Sequence, residues 1–253
     1  MNRTDSIPFI VRKRRDLAWD VFEDRVVEEK PVKIFVNNEE MGSVVCSPWN
    51  LEEMAAGFLC AEGILDQFED LDELTISEDG SEAYAKMPGF PKGEAGKKAI
   101  EETLKKKLSK VNKSSLQLTS ETVFSLADQL ENGSELFKNT GGVHGAALAQ
   151  NGKILQFMVD IGRHNALDKL AGWCCLNRID MEDKAVVFSG RVPSEIIYKV
   201  AKMGCPLIIA KSAPTSLALE LADKMGITII AFARGRVFNL YTHPERISDA
   251  PEQ

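Results

Sequence analysis

Residues 185–232 run AVVFSGRVPSEIIYKVAKMGCPLIIAKSAPTSLALELADKMGITIIAF, and the rhythm of this stretch decides the fold class. Three short apolar runs, Ala185–Phe188, Pro206–Ala210 and Ile227–Phe232, are rich in β-branched residues and bounded by small or polar ones, the pattern of buried strands. Between them lie two segments with apolar residues at helical spacing, Pro193–Met203 and Thr215–Met225. Alternation at these lengths predicts an α/β layer on a largely parallel sheet. The pattern continues outward. Val143–Ala149 and Ile154–Asp160 read as strands about an Asn151-Gly152 turn, Asn165–Leu176 as a helix, and Val237–Tyr241 as a last strand.

The first half is mixed. Pro31–Asn38 and Met41–Ser47 read as strands, and Asn50 with Glu53 resembles a capping box opening a helix over Leu51–Glu62, with Gly63 as its stop. Residues 66–82 are acidic and turn-rich, a Lys- and Glu-laden helix runs from Lys97 to Lys110, and Ser120 caps a helix reaching Leu130. The periodicity changes near residues 132–140. The expected organisation is therefore a smaller mixed α+β part over 1–135 and a larger α/β part over 136–253.

Composition excludes several classes. The chain has 253 residues, 44% hydrophobic and 27% charged, as ordinary globular proteins do. No apolar run approaches the roughly 18 residues of a membrane span, and the basic cluster Arg12–Arg15 follows an apolar patch, the wrong order for a secretory signal. Five cysteines without regular spacing make no disulfide framework, so a reducing cytoplasm is the expected location and no membrane is involved. Net charge is −7, from 31 Lys and Arg against 38 Asp and Glu, too acidic for a nucleic-acid binder. It is uneven: 18 basic and 27 acidic residues leave −9 over 1–139, and 13 basic and 11 acidic leave +2 over 140–253.

The loops after the strands of the second half carry the chemistry. They are Asp160-Ile161-Gly162-Arg163-His164-Asn165, Ser189-Gly190-Arg191-Val192-Pro193-Ser194, Lys211-Ser212-Ala213-Pro214-Thr215-Ser216 and Ala233-Arg234-Gly235-Arg236. Parallel strands end on one rim, so these loops should converge there. Each brings a cation (Arg163, Arg191, Lys211, Arg234 with Arg236), and three open helices, whose first N–H groups favour anions. Guanidinium forks and small residues such as Gly162, Gly190 and Ser212 suit phosphate. Any single loop reads as an N-cap and a turn more readily than as a binding site. Asp160 with His164 reads as an acid/base pair or as a contact to backbone or a ribose hydroxyl, and Asp160→Asn is expected to change ligand affinity rather than stability. The three histidines match no metal spacing and no intrinsic metal is expected.

At these loops the chain closely resembles the FdhD family of formate dehydrogenase accessory proteins, which are sulfur carriers. The matching stretches are SPWNLEEMAAGFLCAEGIL (47–65), TGGVHGAAL (140–148), DIGRHNALDKLAG (160–172), SGRVPSE (189–195), KSAPTSLALELADKMGIT (211–228) and FARGRVFNLYTHPERI (232–247). The resemblance implies a larger part with a three-layer, cytidine-deaminase-like α/β/α fold. It implies a bound ligand, the molybdenum cofactor in its bis(molybdopterin guanine dinucleotide) form, recognised through its guanine nucleotide part. It implies sulfur passed from a cysteine desulfurase to that cofactor, a formate dehydrogenase catalytic subunit as recipient, and a homodimer. The family's cofactor-binding stretch maps to Phe232, Ala233, Arg234, Gly235 and Arg236. To these the rim loops add Asp160, Arg163, His164, Arg191, Lys211 and Ser212 as candidates. Deamination itself is not expected: His144-Gly145-Ala146 lacks the H-x-E glutamate, and no C-x-x-C occurs.

One departure matters. The family's sulfur loop has the form CGxCGK, and its counterpart here is Lys92-Gly93-Glu94-Ala95-Gly96-Lys97, with Lys92 and Ala95 at the cysteine positions. A persulfide needs a thiolate, which neither side chain provides. The alternative is thus a cofactor-binding chaperone that moves no sulfur; a plain interaction domain would leave the cationic loops unexplained. Among the remaining thiols, Cys60, Cys174 and Cys175 fall in apolar helices and read as inert, Cys205 lies away from the rim, and Cys46 reads as the exposed surrogate.

Overall fold

The computed structural model describes residues 6–90 and 94–251. The strands β1 (Ser6–Arg15) and β2 (Ala18–Val27) form an antiparallel hairpin that is a sheet by itself. A smaller unit follows: β3 (Lys30–Val36), β4 (Glu39–Cys46), helix α1 (Leu51–Glu62), β5 (Glu73–Ile76) and β6 (Glu82–Lys86). Its four-stranded sheet, in the order β4-β3-β6-β5, packs Val32, Ile34 and Ala83 against Met54, Ala55 and Leu59 of α1. The helix has the expected bounds, and Gly63 stops it in the left-handed region at φ 78°, where glycine carries no Cβ penalty. The capping box does not form. Asn50 is itself left-handed (φ 52°) and makes no side-chain cap bond.

Three helices lead to the larger unit: α2 (Glu94–Lys113), α3 (Ser120–Asn132) and the short α4 (Glu135–Thr140). Then come β7 (His144–Gln150), β8 (Lys153–Asp160), α5 (Arg163–Leu176), β9 (Ala185–Phe188), α6 (Ser194–Met203), β10 (Leu207–Ala210), α7 (Ser216–Met225), β11 (Thr228–Arg234) and β12 (Val237–Leu240). The six-stranded sheet runs β12-β11-β10-β9-β7-β8. It is less parallel than the sequence implied: only β9, β10 and β11 are parallel neighbours, while β7, β8 and β12 pair antiparallel. The reason is turn chemistry. Asn151 and Gly152 (φ 51° and 75°) close β7 on β8 as a two-residue hairpin, and such a turn can only join antiparallel strands.

Reversing direction twice brings β8 back parallel in sense to β9, β10 and β11, so the carboxyl ends of all four meet on one rim. The start of β7 lies there too, with His144 opposite Asp160.

The pleat sorts the core into two layers around this sheet. Val186, Phe188, Ile208, Ala210 and Ile229 face Leu167, Leu170, Ile197, Val200 and Ala218 of α5, α6 and α7. Their neighbours Ala185, Val187, Leu207, Ile209 and Ile230 face Val123, Leu126 and Leu130 of α3. Although both precede residue 135, α3 packs on this larger sheet and α2 packs on α6 and α7 of the same unit. The smaller unit docks through α1 and α5, which cross at two glycines. A Cβ on Gly57 would fall 1.8 Å from the Asp168 carbonyl oxygen, and one on Gly172 would fall 1.9 Å from that of Glu53. No longer side chain fits that crossing.

Candidate anion-binding rim

Serine hydroxyls and loop amides knit the rim together. Ser189 Oγ accepts from the Gly145 amide (2.9 Å) and lies 3.3 Å from His144 Nδ1, while Ser212 Oγ donates to the Ser189 carbonyl (3.2 Å). The next two loops exchange backbone bonds, Val192 N to Ala213 O at 3.0 Å and Thr215 N to Val192 O at 3.1 Å. Gly190 lets the Arg163 loop approach: a Cβ there would sit 3.0 Å from Arg163 Cβ and 2.9 Å from the Phe188 ring.

Several donors are left over. Arg163 Nε is buried without a hydrogen-bond partner, an arrangement that costs free energy unless something else satisfies it. Arg191 and Arg234 are exposed and have no carboxylate partner among the described residues. The first turns of α5 and α6 follow Gly162 and Pro193, neither of which offers a side-chain cap, so no side chain takes up their first N–H groups, although Ile196 N already donates to the Pro193 carbonyl at 3.0 Å. His144 is held below the usual histidine range by burial and then by Arg163. Burial, Lys199 and Arg163 do the same to His164, although Glu195 stands 3.5 Å away.

The other expected residues divide. Lys211 turns to the α3 side and pairs with Glu131 at 2.7 Å. Arg236 forms a fork with Glu121 (Nη1 to Oε2 2.6 Å) and lies over the Phe124 ring at 4.7 Å. Ala233 is core on the α3 face, not lining. Phe232 holds φ at 55° where the β11–β12 register shifts. A bulky residue rarely adopts that conformation, and the bulge turns Arg234 out to solvent.

Asp160 is the clearest correction. It does not face a ligand. Its carboxylate is fully buried, 2.7 Å from Lys169 Nζ, and accepts from the amides of Ser47 and Gly162 and from Asn165 Nδ2, each at 2.9 Å. Lys169 also donates to the Ser47 carbonyl (3.2 Å), Ile161 N donates to Ser47 Oγ (3.1 Å), and Trp49 Nε1 reaches the Val159 carbonyl (3.3 Å). Two distant sequence motifs, SPWN and DIGRHN, are thus each other's partners. Asp160 is the latch between the units, and Ser47, Lys169 and Ser189 are the residues that sequence reasoning passed over. A Ser-Pro before a helix was the one available signal.

The thiols also depart from expectation. Cys46 is wholly buried and burial pushes it up to about 11, so it is no exposed surrogate. Cys205 is likewise buried and raised to about 11. The counterpart of the sulfur loop, Lys92–Lys97, begins outside the described residues, and only the helical backbone of 94–97 is described.

A cationic rim at the carboxyl ends of strands, with uncapped helix starts behind it, is where α/β proteins of the ligand-carrying class hold phosphates. The chain belongs to the FdhD/NarQ family, whose sequence profile matches residues 27–248. It is 38% identical over 253 residues to the sulfur carrier protein FdhD of Bacillus pumilus, covering 95% of this chain and 97% of that one. Against the protein of the same name from Geobacillus kaustophilus, identity is 41% over 250 residues, covering 94% and 95%. Among solved structures it is similar to a formate dehydrogenase accessory protein from Desulfotalea psychrophila, with a TM-score of 0.80 at 30% identity, covering 96% of this chain and 99% of that one. None of the described helices is long and apolar enough to cross a membrane.

Proposed function

We propose that this protein serves formate dehydrogenase maturation by holding the bis(molybdopterin guanine dinucleotide) cofactor at the rim. The observation that carries the reading is the orphaned, buried Arg163 Nε beside the uncapped first turns of α5 and α6. Arg163, Arg191 and Arg234 take the phosphates, and Gly162 and Gly190 let the backbone come close. Neutral His144 and His164 offer ring nitrogens to the nucleoside. Arg236 and Lys211 can exchange Glu121 and Glu131 for ligand oxygens, and Ser212 and the Phe232–Arg236 bulge shape the far edge. The cytidine-deaminase-like label for the larger unit belongs to the same reading, as does a cytoplasmic location.

In this reading a cysteine desulfurase is the sulfur donor and the formate dehydrogenase catalytic subunit the recipient. The chaperone alternative keeps its specific support, since Lys92 and Ala95 stand at the family's cysteine positions. A homodimer is part of the proposal. The β1–β2 hairpin exposes Phe9, Ile10, Trp19, Val21 and Val26, and a lone two-stranded hairpin is marginal in water without a covering surface.

Calorimetric titration with guanosine diphosphate tests the rim. Binding should weaken as salt rises, and Arg163→Ala should lose roughly tenfold to a hundredfold in affinity. Unchanged affinity in both Arg163→Ala and Arg191→Ala would remove the rim from consideration.

A further inference from the structure

A cavity of about 380 Å³ opens at the opposite ends of α5 and α6 from the rim, a size that takes a small molecule. Its wall includes Cys60 of α1 and Cys175 of α5, together with Lys106 and Lys107 of α2 and Lys199 and Lys202 of α6. The sulfur pair follows from the helix crossing. Cys60 stands three residues beyond Gly57 and Cys175 three beyond Gly172, so the turn after the close contact brings both thiols to the wall of the same cavity. Both are partly exposed, whereas Cys46, Cys174 and Cys205 are buried.

The environment separates the two sulfurs. Cys60 is raised by its neighbour Cys175 and by burial. Cys175, beside Cys60 and facing Lys107, is lowered, and it is the only described thiol shifted that way. Most cations around the cavity are already paired: Lys107 with Asp66 (2.8 Å), Lys199 with Asp168 (2.6 Å), Arg178 with Glu69 (2.6 Å) and Lys110 with Asp180 (3.9 Å). Lys106 and Lys202 have no carboxylate partner among the described residues, and Lys202 donates only to the Ala61 carbonyl.

We propose that Cys175, backed by Cys60, is a second thiol site that accepts the outer sulfur of a small carboxylate-bearing persulfide bound in this cavity. The Cys175 thiolate attacks the outer sulfur of the donor. A bond forms between Cys175 Sγ and that sulfur, the donor's S–S bond breaks, and the donor leaves as a thiolate. The transferred sulfur keeps its oxidation state, so no oxidant or reductant is needed. Lys106 and Lys202 hold the donor's carboxylate, and Cys60 lies beside Cys175 on the same wall. The site rests on the sulfur-carrier part of the function proposed above and not on the nucleotide part, which uses the other end of the same helices.

The test uses the full chain, fully reduced. One arm receives cysteine persulfide, the other a cysteine desulfurase with cysteine, and both are read by intact mass and peptide mapping. The expected result is one added sulfur per chain on the Cys175 peptide in the free-persulfide arm, abolished in Cys175→Ser. Cys60→Ala should take up sulfur about tenfold more slowly near pH 7 and recover near pH 9, because a thiol without that neighbour needs higher pH to ionise. Should Cys175→Ser not fold, limited alkylation of the wild type replaces it, with Cys175 modified first and protected by the donor. Sulfur on another cysteine, uptake only from the desulfurase, no uptake, or a Cys60–Cys175 disulfide with free sulfide would each overturn the site. Guanosine diphosphate binding, measured on the same samples, reports separately on the rim.

Discussion

Asp160–Lys169 and Arg236–Glu121 are the same chemistry in two settings. Both join a carboxylate to a cation at loops that read as ligand contacts in the sequence. In the first pair both side chains are 0% exposed; in the second they are 69% and 67% exposed. Water decides the difference. A buried pair is tied to its geometry because either partner alone would leave an uncompensated charge, whereas an exposed pair is screened and its partners can be traded for a ligand. The latch is therefore architecture, and the exposed pairs are the ones whose partners are free to be exchanged.

The largest effect should come from breaking the latch. Asp160→Asn strands Lys169 and the Ser47 amide in the interface and should cost about 3–5 kcal/mol, seen in urea or thermal unfolding. A melting temperature equal to that of wild type would return Asp160 to the ligand site. Next in size is a pH effect at Asp168, whose carboxyl burial pushes up to about 6 although Lys199 is 2.6 Å away. A raised carboxyl favours the folded state below its unfolded value and loses that advantage as pH rises through about 6. Asp168→Asn should match wild type near pH 4 and gain on it by up to about 3 kcal/mol above pH 6, from about 1.4 kcal/mol per unit. A stability difference that does not vary with pH would contradict this.

At the rim, Arg163→Ala should leave melting nearly unchanged and cost about 1.5–3 kcal/mol in anion binding, read by calorimetry. The smallest effect belongs to Arg236→Ala. It should leave the melting temperature where it was, and a marked loss of stability would mean that the Glu121 fork holds α3 in place. Together these four variants ask whether burial alone separates latch from ligand site.

Much of the larger unit was legible because its signals are local. The apolar runs of β9, β10 and β11, the Asn151-Gly152 turn and the helix stops need no knowledge of what packs on them. The β1–β2 hairpin was missed because its apolar residues are exposed on both faces and show no alternation between core and solvent. The β7–β8 hairpin is legible in its turn, but the antiparallel pairing of β7 with β9 is not, because a hydrophobic run does not record the direction of its neighbour.

By itself the sequence determined the alternation of strands and helices, the gathering of cations in loops at one rim, the family, and the absence of cysteines at positions 92 and 95. Those follow from residue type and spacing along the chain. Only the tertiary structure decided which carboxylate is a latch, that Arg163 Nε at the rim is left unsatisfied, and that Cys46 is sealed while Cys60 and Cys175 line one cavity. Charge and thiol chemistry depend on burial and on the nearest partner. For Asp160 one of the partners that bury it lies 113 residues away, at Ser47, a neighbour supplied by the helix crossing and not by any local pattern.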